Sequence, residues 1–336
     1  MLISIGSLVL SLGIILLSCE LFTNGIEWLG KRLKLGDGVV GSIFSAVGTC
    51  LPETMVPIIA ISLSSSTAEK AKENVDIGIG AIMGAPFMLS TLAFLVTGLS
   101  VLAFWKRRKT GFVMTVNSRI LSRDLGFFII VYTIGLATSL VNIKFIKFIV
   151  ALFLIAYYIY YIILTVKQDT TSHQEIDPLY IVKYIKRRPN MAAILFQTAL
   201  ALSGIVFGAH LFVQNIEVLS DALGIPALIL SLIITPIATE LPEKFNSIIW
   251  ISKKKDTLAL GNITGAMVFQ SCIPVSIGII STPWKLDAIS VLSAVLAMLS
   301  ALTVYTYIKL RGKLTPFPLL AGGVFYLVFI GYLIIK

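Results

Sequence analysis

Charged residues are scarce in this sequence, since Asp, Glu, Lys and Arg make up only 13% of its 336 residues. A soluble globular domain usually carries about a quarter. Hydrophobic residues account for 57% of the chain. No soluble fold could bury this much apolar surface, so we expect a lipid bilayer to be the solvent. The net charge of +10 does not indicate nucleic acid, because the charges cluster in short breaks between apolar runs, where they act as topology signals.

Histidine and cysteine are also rare, with two His and three Cys in the whole chain. Cys19, Cys50 and Cys272 lie inside apolar runs and show no Cys-x-x-Cys spacing, which argues against a disulfide framework or a zinc site. We find no Ser/His/Asp constellation and therefore expect no enzyme. The phosphate-binding pattern Gly-x-x-x-x-Gly-Lys-Ser/Thr is missing as well. Energy must then come from a gradient or a partner protein, and no organic cofactor is expected.

Long apolar runs fill most of the chain. About 20 apolar residues span a bilayer as a helix, and ten runs reach or approach that length. The spans are roughly 2–24, 39–63, 77–105, 125–142, 145–166, 191–214, 226–251, 257–281, 286–308 and 316–335. The longest polar stretch, 167–190, divides them into five and five. The sequence predicts an all-α membrane protein with two halves, 1–166 and 191–336.

The positive charges predict the orientation. Assigning the breaks alternately to two sides places 20 Lys and Arg residues on one side and six on the other. Cytoplasmic loops carry the excess of Lys and Arg. We therefore expect a multi-pass protein of the cell membrane, with the linker 167–190 in the cytoplasm and both termini outside. Five spans per half is an odd number, so related halves would form an inverted repeat.

The two halves are related by a shift of 190 residues. Thr49 aligns with Thr239, Leu51-Pro52-Glu53 with Leu241-Pro242-Glu243, and Ile26-Glu27 with Ile216-Glu217. The third spans continue the match with a shorter loop, since Gly80-x-x-x-Gly84-Ala85 resembles Gly261-x-x-x-Gly265-Ala266. The shared Thr-x-Leu-Pro-Glu segment is too specific to be a chance match between two apolar runs. The sequence therefore predicts ten transmembrane helices as two inverted five-helix repeats.

The two motif glutamates carry the chemistry. Glu53 and Glu243 lie in the middle of spans, where an ionised carboxylate costs at least about 2.5 kcal/mol. Each follows a proline, which removes a helix hydrogen bond and frees a carbonyl. Thr49 and Thr239 lie four residues earlier, on the same helical face. Hydroxyl, carbonyl and carboxylate oxygens together suit a hard cation such as Ca²⁺. The other interpretation of one such segment is a kinked helix with a protonated Glu, which two symmetric copies do not favour.

The paired motifs resemble the two repeats of the cation/Ca²⁺ exchanger superfamily, to which the sodium/calcium exchangers belong. The segments that carry the resemblance are Val47-Gly48-Thr49-Cys50-Leu51-Pro52-Glu53, Ile237-Ala238-Thr239-Glu240-Leu241-Pro242-Glu243 and Gly261-Asn262-Ile263-x-Gly265. The resemblance covers the whole chain. It implies alternating access around the second, third, seventh and eighth spans. It also implies that Glu53 and Glu243 are paired Ca²⁺ ligands, with backbone oxygens of Thr49 and Thr239 beside them.

The sequence departs from the family pattern near this site. Sodium/calcium exchangers usually have Ser after the motif Thr, whereas this chain has Cys50 and Glu240. Where the family has Asn or Asp in the third helix of each repeat, this chain has Leu89 and Gln270. Glu240 and Glu243 are three residues apart and share a helical face. Two close carboxylates favour binding of a proton, so Glu240 predicts H⁺ coupling or a relocated Na⁺ site, with Gln270 as a neutral ligand.

We therefore expect a secondary-active antiporter, acting as a monomer, that exports Ca²⁺ or a similar divalent cation in exchange for Na⁺ or H⁺. Its partners would be inorganic cations and the bilayer. One alternative is a uniporter or channel-like path without counter-ion coupling. Another is an intramembrane enzyme that uses paired acids on a lipid substrate, which requires a polar head-group cluster that the sequence does not show.

Overall fold

The computed structural model describes residues 2–33, 50–63, 67–108, 110–168, 177–183 and 190–335, with the backbone alone at 2–3, 166–168, 183 and 241–246. The described chain is helical apart from turns and connections. Its helices are α1 (Leu2–Arg32), α2 (Leu51–Ser62), α3 (Ala68–Met88), α4 (Phe94–Phe104), α5 (Ser118–Ala137), α6 (Lys144–Gln168), α7 (Tyr180–Lys183), α8 (Met191–Leu223), α9 (Ala227–Ser252), α10 (Asp256–Ser281), α11 (Ala288–Arg311) and α12 (Pro316–Ile335). A π-helical turn, Leu89–Ala93, joins α3 to α4.

Eight helices of the described chain are long and apolar enough to cross a membrane by length and composition. Two further apolar stretches are shorter, Leu51–Ser62 and Ala227–Glu240. These two stretches lie in the predicted spans that carry the glutamate motifs. The all-helical membrane class is therefore confirmed, while the arrangement of ten spans in two repeats stays a prediction.

Several helices continue beyond the apolar runs that predicted them. α1 ends at Arg32 rather than near 24, and α8 ends at Leu223 rather than near 214. α3 begins at Ala68 rather than near 77, so it includes charged residues such as Glu69. Hydropathy detects only the apolar part of a helix, whereas backbone hydrogen bonds can continue through polar residues on either side.

The chain forms two compact units, and each draws on both halves of the sequence. The first unit comprises Met1–Gly78 and Ala156–Ala227, and the second comprises Ile79–Ile155 and Leu228–Lys336. The boundaries of the predicted repeats, 1–166 and 191–336, follow sequence order and remain a prediction.

Within the first unit, α1 and α8 pack along each other. Small residues allow this close approach. A Cβ added at Gly25 would lie 2.6 Å from Thr198 Oγ1, and one at Gly208 would lie 2.8 Å from the side chain of Ile15. Such small-residue contacts are the usual way for membrane helices to associate, because lipid removes the hydrophobic drive between them.

The helix α7 and the residues before it dock onto the same pair of helices. Asn24 Nδ2 and Trp28 Nε1 both donate to the carbonyl oxygen of Asp177, at 3.2 and 2.9 Å. The backbone N–H of Ile181 donates to Gln197 Oε1 at 3.0 Å. Gln197 Nε2 in turn donates to Asn24 Oδ1 at 2.9 Å. Part of the predicted linker is therefore fixed to α1 and α8 by a connected set of amide hydrogen bonds.

Tyr180 completes this docking. Its hydroxyl donates to Glu20 Oε1 at 2.9 Å, and its backbone N–H donates to Asn24 Oδ1 at 3.2 Å. Burial, together with the hydrogen bond to the Glu20 carboxylate, raises the pKa of Tyr180 to about 12. The hydroxyl therefore stays protonated, and able to donate, throughout the physiological range.

In the second unit, α10 packs against α5, while α12 packs against α4 and α11. Aromatic side chains fill part of this core, with the ring of Phe87 4.7 Å from that of Phe329 between centroids. Trp284 is completely buried, and its indole N–H donates to the carbonyl oxygen of Gly135 at 3.0 Å. The loop after α10 is thereby held against α5.

A buried ion pair fixes the other end of α10. The guanidinium of Arg108 donates to both carboxylate oxygens of Asp256, to Oδ1 at 2.9 Å and to Oδ2 at shorter range. The backbone N–H of Thr115 also donates to Asp256 Oδ2, at 2.7 Å. Asp256 lies in the first turn of α10, where a negative charge is favoured by the helix dipole. The pair ties the α4–α5 connection to the start of α10.

Candidate functional site

The first motif lies at the start of a helix. α2 begins at Leu51, with Pro52 and Glu53 in its first turn. Proline is well suited to a first turn, because its missing N–H would have no partner there. Glu53 is 2% exposed, and its carboxylate lies at the positive end of the helix dipole, which stabilises negative charge. Thr49, the predicted partner of Glu53, lies outside the described residues.

Cys50 precedes this helix and is 6% exposed. The Thr54 hydroxyl donates to the Cys50 carbonyl oxygen at 2.8 Å. The residue that replaces the family serine is therefore buried beside the first turn that carries Glu53.

The second motif lies within a continuous helix. The backbone of α9 is helical from Ala227 to Ser252, so it passes through Pro242 and Glu243 without a break. The two copies of the motif therefore differ in backbone structure, whereas their matching sequences suggested similar breaks. The backbone of Glu243 is described, but its side chain lies outside the described residues.

A stripe of buried hydroxyl groups precedes the second motif along α9. Ser231, Thr235 and Thr239 are each at most 1% exposed. The Ser231 and Thr235 hydroxyl oxygens are 3.1 Å apart, and the Thr239 hydroxyl donates to the Thr235 carbonyl oxygen at 2.9 Å. Only Thr239 was singled out from the sequence. The four-residue spacing, which places all three on one helical face, was the signal that could have identified the other two.

Glu240 and Gln270 are brought together, from α9 and α10. Glu240 is 2% exposed and Gln270 is fully buried. Gln270 Nε2 donates to Glu240 Oε1 at 3.4 Å, a long hydrogen bond. The amide oxygen of Gln270 is buried and has no hydrogen-bond partner among the side chains that the structure describes. A carboxylate and an amide oxygen without a donor are ligands that hard cations accept.

A close helix contact holds α9 in place beside α3. A Cβ added at Gly84 would overlap the carbonyl oxygen of Leu232, and one at Gly80 would lie 3.0 Å from the Leu232 backbone nitrogen. Leu232 is four residues before Pro236, which has no N–H to donate to that carbonyl. The Gly80-x-x-x-Gly84 pattern therefore lets α3 approach α9 closely at Leu232, where Pro236 already removes one backbone hydrogen bond of α9.

Where α3 ends, the family has a polar residue and this chain has Leu89. Here the backbone widens into the π-helical turn. The Ser300 hydroxyl donates to the carbonyl oxygen of Ser90, and the Thr91 hydroxyl donates to that of Phe87 at 2.5 Å. π-Helical turns inside helices often occur at functional sites. In this chain the carbonyl oxygens around the turn are bonded to hydroxyl groups.

Among the described residues, no group of three or more His, Cys, Asp or Glu side chains is arranged to hold a metal ion. Thr49 and the Glu243 side chain, two of the predicted ligands, are outside that search. The structure describes the side chains of five predicted site residues, and all five are buried: Cys50, Glu53, Thr239, Glu240 and Gln270.

Comparison with known proteins also indicates an exchanger, and the match extends over almost the whole chain. The model of the family described as sodium/calcium exchanger protein matches residues 3–167 and 193–336. A putative antiporter, CaxA of Alkalimonas amylolytica, is 26% identical over 334 residues, covering 98% of this chain and 97% of the relative. Inner membrane protein YrbG of Escherichia coli (strain K12) is 23% identical over 291 residues, covering 86% of this chain and 83% of that protein.

Two solved exchangers share the fold. The crystal structure of an H⁺/Ca²⁺ exchanger, CAX, has a TM-score of 0.72 at 16% identity, covering 98% of this chain and 82% of that one. The sodium-calcium exchanger NCX_Mj has a TM-score of 0.58 at 19% identity, covering 98% of each chain. At these identities the likeness concerns the fold alone.

The helices and the buried polar residues define a multi-pass membrane protein of the transporter class. The chain belongs to the sodium/calcium exchanger protein family. This family is one of transporters rather than of enzymes, and the named relatives do not favour a path for cations without a counter-ion.

Proposed function

We propose that this protein is a secondary-active antiporter that exports Ca²⁺, or a similar divalent cation, from the cytoplasm in exchange for Na⁺ or H⁺. The observation that carries the proposal is the burial of two acids, Glu53 and Glu240, at the two copies of the family motif, each 2% exposed. Acids inside membrane segments are costly and usually line ion pathways. The protein acts as a monomer by alternating access between two inverted repeats, 1–166 and 191–336, with both termini outside and the linker 167–190 in the cytoplasm.

The cation ligands in this proposal are those that the family resemblance implies. Glu53 and Glu243 supply carboxylates, while Thr49 and Thr239 supply backbone oxygens. Cys50 adjoins Glu53 in place of the family serine, where its weakly coordinating sulfur reduces the number of hard ligands.

Glu240 and Gln270 distinguish this chain from its family. Glu240 adds an acid on α9 where sodium/calcium exchangers usually have Ser, and Gln270 stands on α10 where they have Asn or Asp. The hydrogen bond between them supports a shared role. We propose that Glu240 binds the counter-ion, a proton or Na⁺, and that the amide oxygen of Gln270 contributes to the same cation site.

The proposal is tested by ⁴⁵Ca²⁺ uptake into proteoliposomes under imposed Na⁺ and H⁺ gradients. Wild-type protein is compared with Glu53→Gln and Glu243→Gln, which remove the carboxylate charge and keep the shape. Uptake by both variants is expected to fall to the level of protein-free liposomes. The control is Glu69→Gln, because Glu69 is exposed near the start of α3. Normal transport by both motif variants would show that the site assignment is wrong.

The counter-ion is tested in the same liposomes. If Glu240 carries a proton, an H⁺ gradient alone drives ⁴⁵Ca²⁺ uptake. Glu240→Gln should then abolish the uptake that the H⁺ gradient drives. Strict dependence on Na⁺ would exclude H⁺ coupling and leave Glu240 as a Na⁺ ligand. Flux that needs neither gradient would instead indicate a uniporter.

A further inference from the structure

A second polar site lies in the second unit, at the end of α10 that is remote from Asp256. A cavity of about 750 Å³ opens there between the start of α6 and the loop that follows α10. Its polar lining includes Asn142, Lys144, Lys147 and Lys285. Gln270 lies about 15 Å away along α10, at 1.5 Å per residue, so this cavity is separate from the proposed cation site.

The charge in the cavity is of one sign. Three lysines line it, and none of the described residues in its lining is acidic. Lys147 is only 8% exposed, and its ammonium donates to the carbonyl oxygen of Pro283 rather than to a carboxylate. Among the described residues, none of the three lysines forms an ion pair. An ammonium has three donors, so Lys147 retains two for a ligand. A buried cation without a counter-ion is unfavourable, and an anion would correct this.

Backbone structure adds to the positive potential. Lys144 is the first residue of α6, so the N–H groups of the first turn lie beside the lysine side chains. The backbone N–H of Lys147 is bonded to Ile143, and the N–H groups before it have no partner within the helix. N–H groups at a helix start and the positive end of its dipole together favour a phosphate or a similar anion.

The opposite wall of the cavity is rigid. Trp284 has a φ of +45°, an uncommon backbone conformation for a bulky residue. Its backbone N–H donates to Thr282 Oγ1 at 3.0 Å, and its buried indole is held by Gly135. Because this packing fixes the loop, the carbonyl oxygen of Pro283 stays directed at Lys147. The position of Lys147 in the cavity is therefore fixed by its bond to the loop.

Apolar side chains surround the mouth of the cavity. Phe148, one turn along α6, is 50% exposed, and Ile280, at the end of α10, is 51% exposed. Phe145 on the first turn of α6 is 71% exposed. α6 is a candidate membrane span whose most apolar window is only 22% buried within the protein, so lipid covers most of it. A ligand at this mouth would contact the basic pocket on one side and the lipid acyl chains around α6 on the other.

We propose that this cavity binds the phosphate-bearing headgroup of an anionic phospholipid, with the acyl chains lying along Phe148 and Ile280. Lysine ammonium groups and the N–H groups of a helix start bind phosphate, and the exposed apolar side chains at the mouth suit acyl chains. The three lysines and the start of α6 bind the phosphate, and the apolar rim distinguishes a phospholipid from inorganic phosphate. The lipid would hold the loop after α10 to the start of α6.

The test is a lipid titration of purified, delipidated protein in detergent, followed by native mass spectrometry. Phosphatidylglycerol and phosphatidylcholine with the same acyl chains are the two probes. The test variant is Lys144→Gln/Lys285→Gln, which leaves the buried Lys147 in place. The control is Lys253→Gln/Lys313→Gln, which removes the same charge from exposed positions outside the cavity. Thermal unfolding of each variant verifies that it is folded.

Wild-type protein and the control should bind phosphatidylglycerol more tightly than phosphatidylcholine. The test variant should lose affinity for phosphatidylglycerol by about 30-fold, because each lysine near an anionic headgroup contributes a factor of about five. Equal binding of both lipids by wild-type protein would overturn the proposal, as would an unchanged preference in the test variant. Inorganic phosphate that competes fully with phosphatidylglycerol at equal concentration would show that the site recognises a free anion and not a lipid.

Discussion

At the scale of single residues, the two polar atoms of the Gln270 amide differ in their hydrogen bonding. Its nitrogen bonds Glu240, and its oxygen is buried without a donor among the described side chains. A buried acceptor of this kind normally costs free energy unless something binds it. We propose that a transported cation supplies that partner for part of the cycle.

We predict that Gln270→Leu raises the KM for Ca²⁺ by about tenfold, equivalent to about 1.4 kcal/mol. Leucine keeps most of the volume but removes both the oxygen ligand and the donor to Glu240. The measurement is the concentration dependence of ⁴⁵Ca²⁺ uptake. Gln214→Leu is the control, since Gln214 is exposed on α8. An unchanged KM would exclude Gln270 from the cation site.

The Arg108–Asp256 pair acts on stability. We predict that Arg108→Gln lowers the free energy of unfolding by about 3–5 kcal/mol, because it leaves a fully buried carboxylate without its counter-charge. Thermal unfolding in detergent should show a clear decrease in Tm. Arg107→Gln, at an exposed neighbouring position, should leave the Tm unchanged. Similar melting of the two variants would indicate that the pair adds nothing to stability.

At the scale of helices, α3 and α9 pack closely at Leu232, on the helix that carries the second motif. We predict that Gly84→Ala destabilises the protein by about 1–3 kcal/mol, the usual cost of overpacking, because the new Cβ would overlap the Leu232 carbonyl oxygen. Thermal unfolding measures the change.

Gly261 on α10 provides a control for this substitution. It is the counterpart of Gly80 in the other half, and a Cβ added there would meet no described residue within 4 Å. Gly261→Ala should therefore be neutral, or stabilising by about 0.5–1 kcal/mol through the helix preference of alanine. Equal loss of stability at both positions would contradict the packing argument.

The docked linker segment makes a prediction about pH. The pKa of Tyr180 is about 12 in the folded protein, above the ordinary tyrosine value of about 10. Since the folded state holds this proton more tightly, its contribution to stability is complete below pH 10 and is lost as the pH rises toward 12. The difference in tyrosinate absorbance between wild-type protein and Tyr180→Phe should have its midpoint near pH 12. A midpoint near 10 would mean that the segment is not docked in solution.

Local patterns in the sequence predicted much of the fold. Each predicted span is helical over most of its length or, for the second span, over its second half, because long apolar runs have few alternatives in a bilayer. The sequence also placed Glu240 and Gln270 near the same predicted ion site, because both residues differ from the family pattern there. The partnership of Arg108 with Asp256 was not, because 148 residues separate them and both appear as charges in loops.

At the scale of the whole molecule, the two compact units combine segments that are far apart in sequence. α1 and α2 belong with α8, and the core of the second unit joins α4 and α5 to α10, α11 and α12. The predicted repeats, 1–166 and 191–336, follow sequence order and stay a prediction, whereas each compact unit draws on both halves. Contacts between residues far apart in sequence define these units, so the order of elements alone could not predict them.

Orientation in the membrane is the last prediction. α10 has 26 residues and is about 39 Å long at 1.5 Å per residue, enough to cross the bilayer. The Lys and Arg distribution predicts that Lys253 lies in the cytoplasm and Lys285 outside. In intact cells, a membrane-impermeant maleimide should label Lys285→Cys and leave Lys253→Cys unlabelled, whereas lysed cells should show both labelled. The background is low, because Cys19, Cys50 and Cys272 are all buried. Labelling of Lys253→Cys alone would reverse the proposed orientation, and with it the assignment of the linker 167–190 to the cytoplasm.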